Sequence, residues 1–128
     1  ASRVGYVDKA YNLFLHATRL DLDDYNNELE QGLHITSMAG GWLAIVRGFA
    51  GMQVLEGLMS FSPTIPQKWN SYTFKINFRE RTLQLCINKR NIEVKLIKGQ
   101  SLKIKVYEKE YILEENNPAI ISTIIKNQ

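Results

Sequence analysis

Tyr72-Thr73-Phe74-Lys75-Ile76-Asn77-Phe78, then Leu83-Gln84-Leu85-Cys86-Ile87 and Ile92-Glu93-Val94-Lys95-Leu96, alternate apolar and polar residues with a period of two. Successive side chains of a strand point to opposite faces, so each run offers one face to a core and the other to water. Leu102–Val106 and a shorter run, Tyr111–Leu113, continue the pattern. The breaks between runs are short and polar, at Arg79-Glu80-Arg81, Lys89-Arg90-Asn91, Lys98-Gly99-Gln100 and Glu108-Lys109-Glu110. Tight polar breaks predict an antiparallel meander, and hence a small β-sandwich or half of one. The tail from Asn116 stays open between two readings, because Ile120, Ile121, Ile124 and Ile125 suit either a last strand or a helical turn.

Upstream the period changes. Val7, Ala10, Tyr11, Phe14 and Thr18 fall on one helical face, and Leu13 and Leu15 widen the stripe, which predicts a helix packed among others. Gly5 stands where the C-cap of a preceding helix would lie, so the chain is expected to begin inside a larger fold. Asp21 to Gly32 is polar and turn-forming. From Ile35 to Phe49 the chain is apolar on nearly every side, which predicts a buried helix that a chain of 128 residues cannot cover by itself. Pro63 and Pro66 punctuate the connector to the strands.

The net charge of +3 is split: residues 1–65 carry four Lys and Arg against seven Asp and Glu, a net of −3, and residues 66–128 carry twelve against six, a net of +6. A basic strand-rich half raises the question of nucleic acid. Lys75, Lys95, Lys103 and Lys105, however, alternate with core residues as on a solvated sheet face, and no exposed aromatics are interleaved with them for stacking on bases. Neither nucleic acid nor membrane is expected as a partner, since no apolar run approaches the length that spans a bilayer. Cys86 is the single cysteine, has no internal partner for a disulfide, and reads as a structural thiol. A cytoplasmic location is expected.

Two motifs lie between the helices. Gly32-Leu33-His34-Ile35-Thr36-Ser37-Met38-Ala39-Gly40 places a histidine, two hydroxyls and a run of backbone N–H groups at the start of an apolar helix. Helix starts hold anions well, so His34, Thr36, Ser37 and the backbone N–H groups of Met38 and Ala39 form a candidate phosphate site. The other reading of these residues is an ordinary helix entry with a hydroxyl cap. The acidic run Asp21, Asp23, Asp24 begins like a calcium loop, but Asn26 stands where such a loop requires glycine and Gly32 where it requires a bidentate glutamate, so no metal site is expected.

These motifs, from Arg19-Leu20-Asp21-Leu22-Asp23-Asp24-Tyr25-Asn26-Asn27 through Gly32–Gly40, Trp42–Val46, Gly48-Phe49, Gly51-Met52, Ser60-Phe61 and Phe74–Arg79, resemble glycoside hydrolase family 65, the inverting phosphorylases of α-linked glucose disaccharides. The resemblance implies an α+β chain: the last helices of an (α/α)₆ barrel over residues 1–55, then a small, jelly-roll-like antiparallel β-sandwich over 56–128. It implies that the phosphate-holding segment is present and that the catalytic general acid lies upstream, so no catalytic residue is expected here; Glu28, Glu30 and Glu56 do not match its place. Inorganic phosphate is the implied co-substrate, with no cofactor. The implied partners are the disaccharide, phosphate and the rest of the barrel, with a homodimer at full length. Alternatives are an inactive binding module derived from such an enzyme, or part of a family 65 hydrolase. The chain departs from the family pattern at Gly41, in place of a threonine, and at Glu80, in place of a glycine.

Overall fold

The computed structural model describes residues 5–19, 23 and 35–124. Helix α1 runs Val7–Thr18 and helix α2 runs Ile35–Leu43, continuing without a break into a π-helical segment, Ala44–Phe49. Eight strands follow: β1 Gln53–Leu55, β2 Leu58–Phe61, β3 Ser71–Phe78, β4 Arg81–Asn88, β5 Asn91–Lys98, β6 Leu102–Val106, β7 Lys109–Leu113 and β8 Ala119–Ser122. They form two four-stranded sheets, ordered β1-β2-β6-β7 and β3-β4-β5-β8. The described residues are therefore α+β, with helices α1 and α2 followed by a small β-sandwich.

The alternation that the sequence shows is the alternation of burial. Tyr72, Phe74 and Ile76 of β3 face inward and stand opposite Ile87, Leu85 and Leu83 of β4, which continue to Ile92, Val94 and Leu96 of β5. Met59, Phe61, Ile104, Val106 and Leu113 close the core from the other sheet. Burying a side chain of this kind contributes about 1.5–3 kcal/mol, so the sandwich holds most of the chain's hydrophobic stabilisation. The lysines stand on the outside as expected, with Lys95 paired to Glu93 at 3.1 Å and Lys103 to Glu110 at 3.0 Å.

The meander holds for β3-β4-β5 but does not extend through β6. After Gly99, whose φ is +110°, the chain crosses to the opposite sheet, where β6 pairs parallel with β2 and antiparallel with β7. The edge beside β5 is taken by β8, so Ala119–Ser122 of the isoleucine-rich tail form a strand, with Ile121 inside and Ile120 outside; Ile124 follows the strand and Ile125 lies outside the described residues. The β3–β4 hairpin turns on Arg79 and Glu80 with φ of 47° and 62°. A two-residue turn of this hand favours glycine or asparagine, because a Cβ crowds the following carbonyl at positive φ. Glu80→Gly is accordingly expected to raise stability by about 1 kcal/mol in denaturant unfolding, and an unchanged midpoint would mean the turn carries no strain.

Two tyrosines pin the connector between helices and sandwich. The Tyr72 hydroxyl donates to the Thr64 carbonyl at 2.9 Å, and the Tyr107 hydroxyl donates to the Pro63 carbonyl at 3.0 Å while accepting from the Ile124 N–H at 3.1 Å. Burial pushes the Tyr72 hydroxyl far above its ordinary pKa of 10.0, and the nearby Tyr107 adds to the effect. Burial raises Tyr107 as well, partly offset by the Ile124 hydrogen bond. Above about pH 10 an unfolded tyrosine releases its proton while these two keep theirs. The unfolded state then binds fewer protons, so stability is full below about pH 10 and falls as pH rises beyond it. Tyr72→Phe should flatten that alkaline fall in melting temperature; an equally steep fall would exclude Tyr72 as its source.

Candidate functional site

The helices meet the sandwich through an aromatic joint. The Trp69 ring lies 4.9 Å from Phe49, 5.4 Å from Phe14, 5.5 Å from Tyr72 and 5.9 Å from Tyr11, mostly edge to face. Aromatic pairs in this geometry add about 0.5–1.5 kcal/mol beyond their buried area. Val46, Phe49 and Ala50, at the end of the long helix, are buried in the sandwich core. Here the helix departs from regular α geometry: the Ala50 N–H bonds the Ile45 carbonyl at 2.8 Å, a π-type closure. The sequence period predicts one continuous helix and gives no sign of this change.

The other end of α2 carries the candidate phosphate residues. Thr36, Met38 and Ala39 are exposed and Ser37 is half-buried, all within the first turns of α2. His34, Gly32 and the acidic residues Asp21 and Asp24 lie outside the described residues, as do Glu28 and Glu30. Asp23 is described, and accepts from the Arg19 guanidinium at 2.8 Å. In an α-helix each N–H bonds the carbonyl four residues back, so the Ala39 N–H faces the Ile35 carbonyl. The carbonyls that would face the N–H groups of Ile35, Thr36, Ser37 and Met38 belong to residues outside the description. No group of His, Cys, Asp and Glu that could hold a metal ion occurs among the described residues.

Gly41 sets the spacing of the two helices. It is buried, and a Cβ there would stand 2.7 Å from Thr18 Cγ2 on α1, so the missing side chain allows the close approach. Thr18 in turn donates to the Phe14 carbonyl at 2.9 Å within its own helix. Facing away from α1 and the sandwich, Ile35, Met38, Trp42 and Leu43 are 77%, 60%, 50% and 45% exposed. The apolar face that the sequence predicts this chain cannot cover is indeed bare. Cys86 is half-buried on β4 and free, and Glu56 is exposed in the β1–β2 turn. No described helix is long and apolar enough to cross a membrane.

The long helix is thus anchored in a small β-sandwich and carries an exposed apolar face, as where a helical domain runs into a C-terminal domain. Residues 1–43 match the glycosyl hydrolase family 65 central catalytic domain, and residues 52–113 match the glycosyl hydrolase family 65 C-terminal domain. Together these segments cover well over half of the chain, which belongs to glycosyl hydrolase family 65.

Among its relatives, the maltose phosphorylase of Bacillus subtilis strain 168 is 45% identical over 89% of this chain and 15% of its own length. The alpha,alpha-trehalose phosphorylase of Geobacillus stearothermophilus is 38% identical over 95% of this chain and 16% of its own length. A solved structure of a human-microbiome protein, provisionally assigned as a kojibiose phosphorylase, superposes on all of this chain with a TM-score of 0.90 at 38% identity, and the chain covers 19% of it. The chain thus spans about a sixth of the length of the curated relatives it matches.

Proposed function

We propose that this chain works as the C-terminal part of an inverting glycoside phosphorylase that cleaves an α-linked glucose disaccharide with inorganic phosphate, giving β-glucose 1-phosphate and glucose. The observation that carries the reading is the match of both segments to family 65, with phosphorylases of maltose, trehalose and kojibiose aligned along most of the chain. The bare face of Ile35, Met38, Trp42 and Leu43 supports it, because the remainder of a helical barrel would cover such a face.

In this reading the rest of the enzyme supplies the carboxylic acid that protonates the glycosidic oxygen. The C–O bond breaks as a phosphate oxygen attacks the anomeric carbon from the opposite face, and the configuration inverts. Phosphate is itself the nucleophile, so neither a catalytic base nor a metal or organic cofactor is called for. The protein's task is to hold a dianion in place, which falls to His34, Thr36, Ser37 and the N–H groups at the start of α2 as far as Met38, the Ala39 N–H being turned to the Ile35 carbonyl. A cytoplasmic enzyme, dimeric at full length, fits this chemistry.

The test is His34→Ala in the longer enzyme. Losing a hydrogen bond to a charged acceptor costs about 1.5–3 kcal/mol, so phosphate-dependent turnover should fall on the order of ten- to a hundredfold. Ser37→Ala should act in the same direction but more weakly. Disaccharide binding and melting temperature should change little. A lowered melting temperature with intact phosphate kinetics would make His34 a structural helix-entry residue.

A further inference from the structure

We propose that the β-sandwich positions the phosphate-holding start of α2, with Phe49 and Trp69 as the positioning residues; this rests on the phosphorylase reading above. Among the described residues, α2 packs against α1, and its π-helical continuation reaches the sandwich core. Near the middle, Gly41 lies against Thr18. At the end, the helix is fastened into the sandwich: the Phe49 carbonyl accepts from the Thr64 N–H at 2.8 Å, and the Ala50 carbonyl accepts from the Ser62 N–H at 3.1 Å. Gly51 follows with φ of +63°, and a Cβ there would meet the Ser62 carbonyl oxygen at 2.8 Å. The Phe49 ring is clamped between Phe14 at 5.8 Å and Trp69 at 4.9 Å.

Among the described residues, the start of α2 is less enclosed than its end, since Ile35, Thr36, Met38 and Ala39 are exposed and Phe49 and Ala50 are buried. The far end is therefore one determinant of its place, acting along a helix of roughly 15–20 Å between Ser37 and Phe49. A tilt of a few degrees at the Phe49 end moves the start of such a helix by about 1 Å. Displacing a reactant-holding group by that distance can cost up to about a hundredfold in rate. The sandwich thus acts on catalysis without touching substrate: the aromatic joint fixes the helix axis, and the axis fixes where Thr36 and Ser37 meet phosphate.

The experiment is steady-state phosphorolysis by the longer enzyme carrying Trp69→Ala, Trp69→Phe or Leu83→Ala. Trp69→Ala opens the clamp on Phe49, and should raise the KM for phosphate about tenfold while the KM for disaccharide changes less than about twofold. Trp69→Phe restores a ring and should bring the phosphate KM back toward wild type. Leu83 is buried in the sandwich beside Ile76 and Leu96, away from the joint, so Leu83→Ala should lower the melting temperature and leave the phosphate KM unchanged. Should Trp69→Ala fail to accumulate, Trp69→Leu carries the same comparison. An unchanged phosphate KM in the Trp69 variants, or an equal rise in Leu83→Ala, overturns the proposal. A wild-type enzyme whose turnover does not depend on phosphate overturns the phosphorylase reading itself, and this proposal with it.

Discussion

Phe49→Ala should destabilise the chain by about 3–5 kcal/mol, among the largest losses any single side chain here can produce. Phe49 is 2% exposed, lies in the same core cluster as Phe61 and Tyr72, and contacts the Phe14 and Trp69 rings. Truncation removes the transfer energy of the ring and leaves a cavity that cannot collapse easily, because the backbone there is also held to the connector, the Phe49 carbonyl accepting from the Thr64 N–H and the Ala50 carbonyl from the Ser62 N–H. Denaturant unfolding monitored by tryptophan fluorescence reads both the stability and the joint, since Trp69 reports its contact with Phe49. A loss below about 1 kcal/mol would show that the helices and the sandwich do not share a core.

The second large effect is on activity. The isolated 128-residue chain is expected to catalyse no phosphorolysis of maltose, trehalose or kojibiose, whereas on the proposed reading the longer enzyme is expected to cleave one α-linked glucose disaccharide. On the proposed reading the general acid is supplied by the rest of the enzyme, and without protonation of the leaving oxygen the glycosidic bond does not break at a useful rate. The chain should also associate in solution, because Ile35, Met38, Trp42 and Leu43 present a contiguous apolar face to water. Release of glucose 1-phosphate by the purified chain would refute the assignment of the acid to the rest of the enzyme.

Much of the sandwich is legible in the sequence because burial on one face of a strand writes itself as alternation. β3, β4 and β5, each eight residues long, carry enough repeats for the period to stand out. The hairpin β1–β2 is not legible: β1 is three residues, all exposed, and its turn at Glu56-Gly57 gives no alternation to read. Nor is the sheet to which β6 belongs, since a period of two names the buried face of a strand and says nothing of its neighbour. The tail resisted for another reason. Ile120 and Ile121 are both isoleucine, yet one is exposed and the other buried, so composition hides the alternation there.

The helices show the same division. The stripe Val7, Ala10, Tyr11, Phe14 predicts the side of α1 that packs on the core. The all-round apolarity of Ile35–Phe49 predicts a helix needing neighbours on every side, and in this chain Val46 and Phe49 find them while Ile35 and Trp42 do not. The π-helical closure at Ala44–Phe49 has no sequence signature, because it depends on how far Phe49 must turn to enter a core made by strands downstream. Of the candidate phosphate residues, Thr36, Ser37, Met38 and Ala39 share the first turns of α2, and His34 lies outside the described residues.

If this chain completes an inverting phosphorylase, the anomeric form of the product shows it. The longer enzyme, given an α-linked glucose disaccharide and inorganic phosphate, should be followed by proton NMR before free sugars mutarotate. Phosphate-dependent formation of β-glucose 1-phosphate and an equal amount of glucose is expected. Glucose alone, formed at the same rate with or without phosphate, would contradict it and make the parent a hydrolase; α-glucose 1-phosphate would contradict the inverting mechanism.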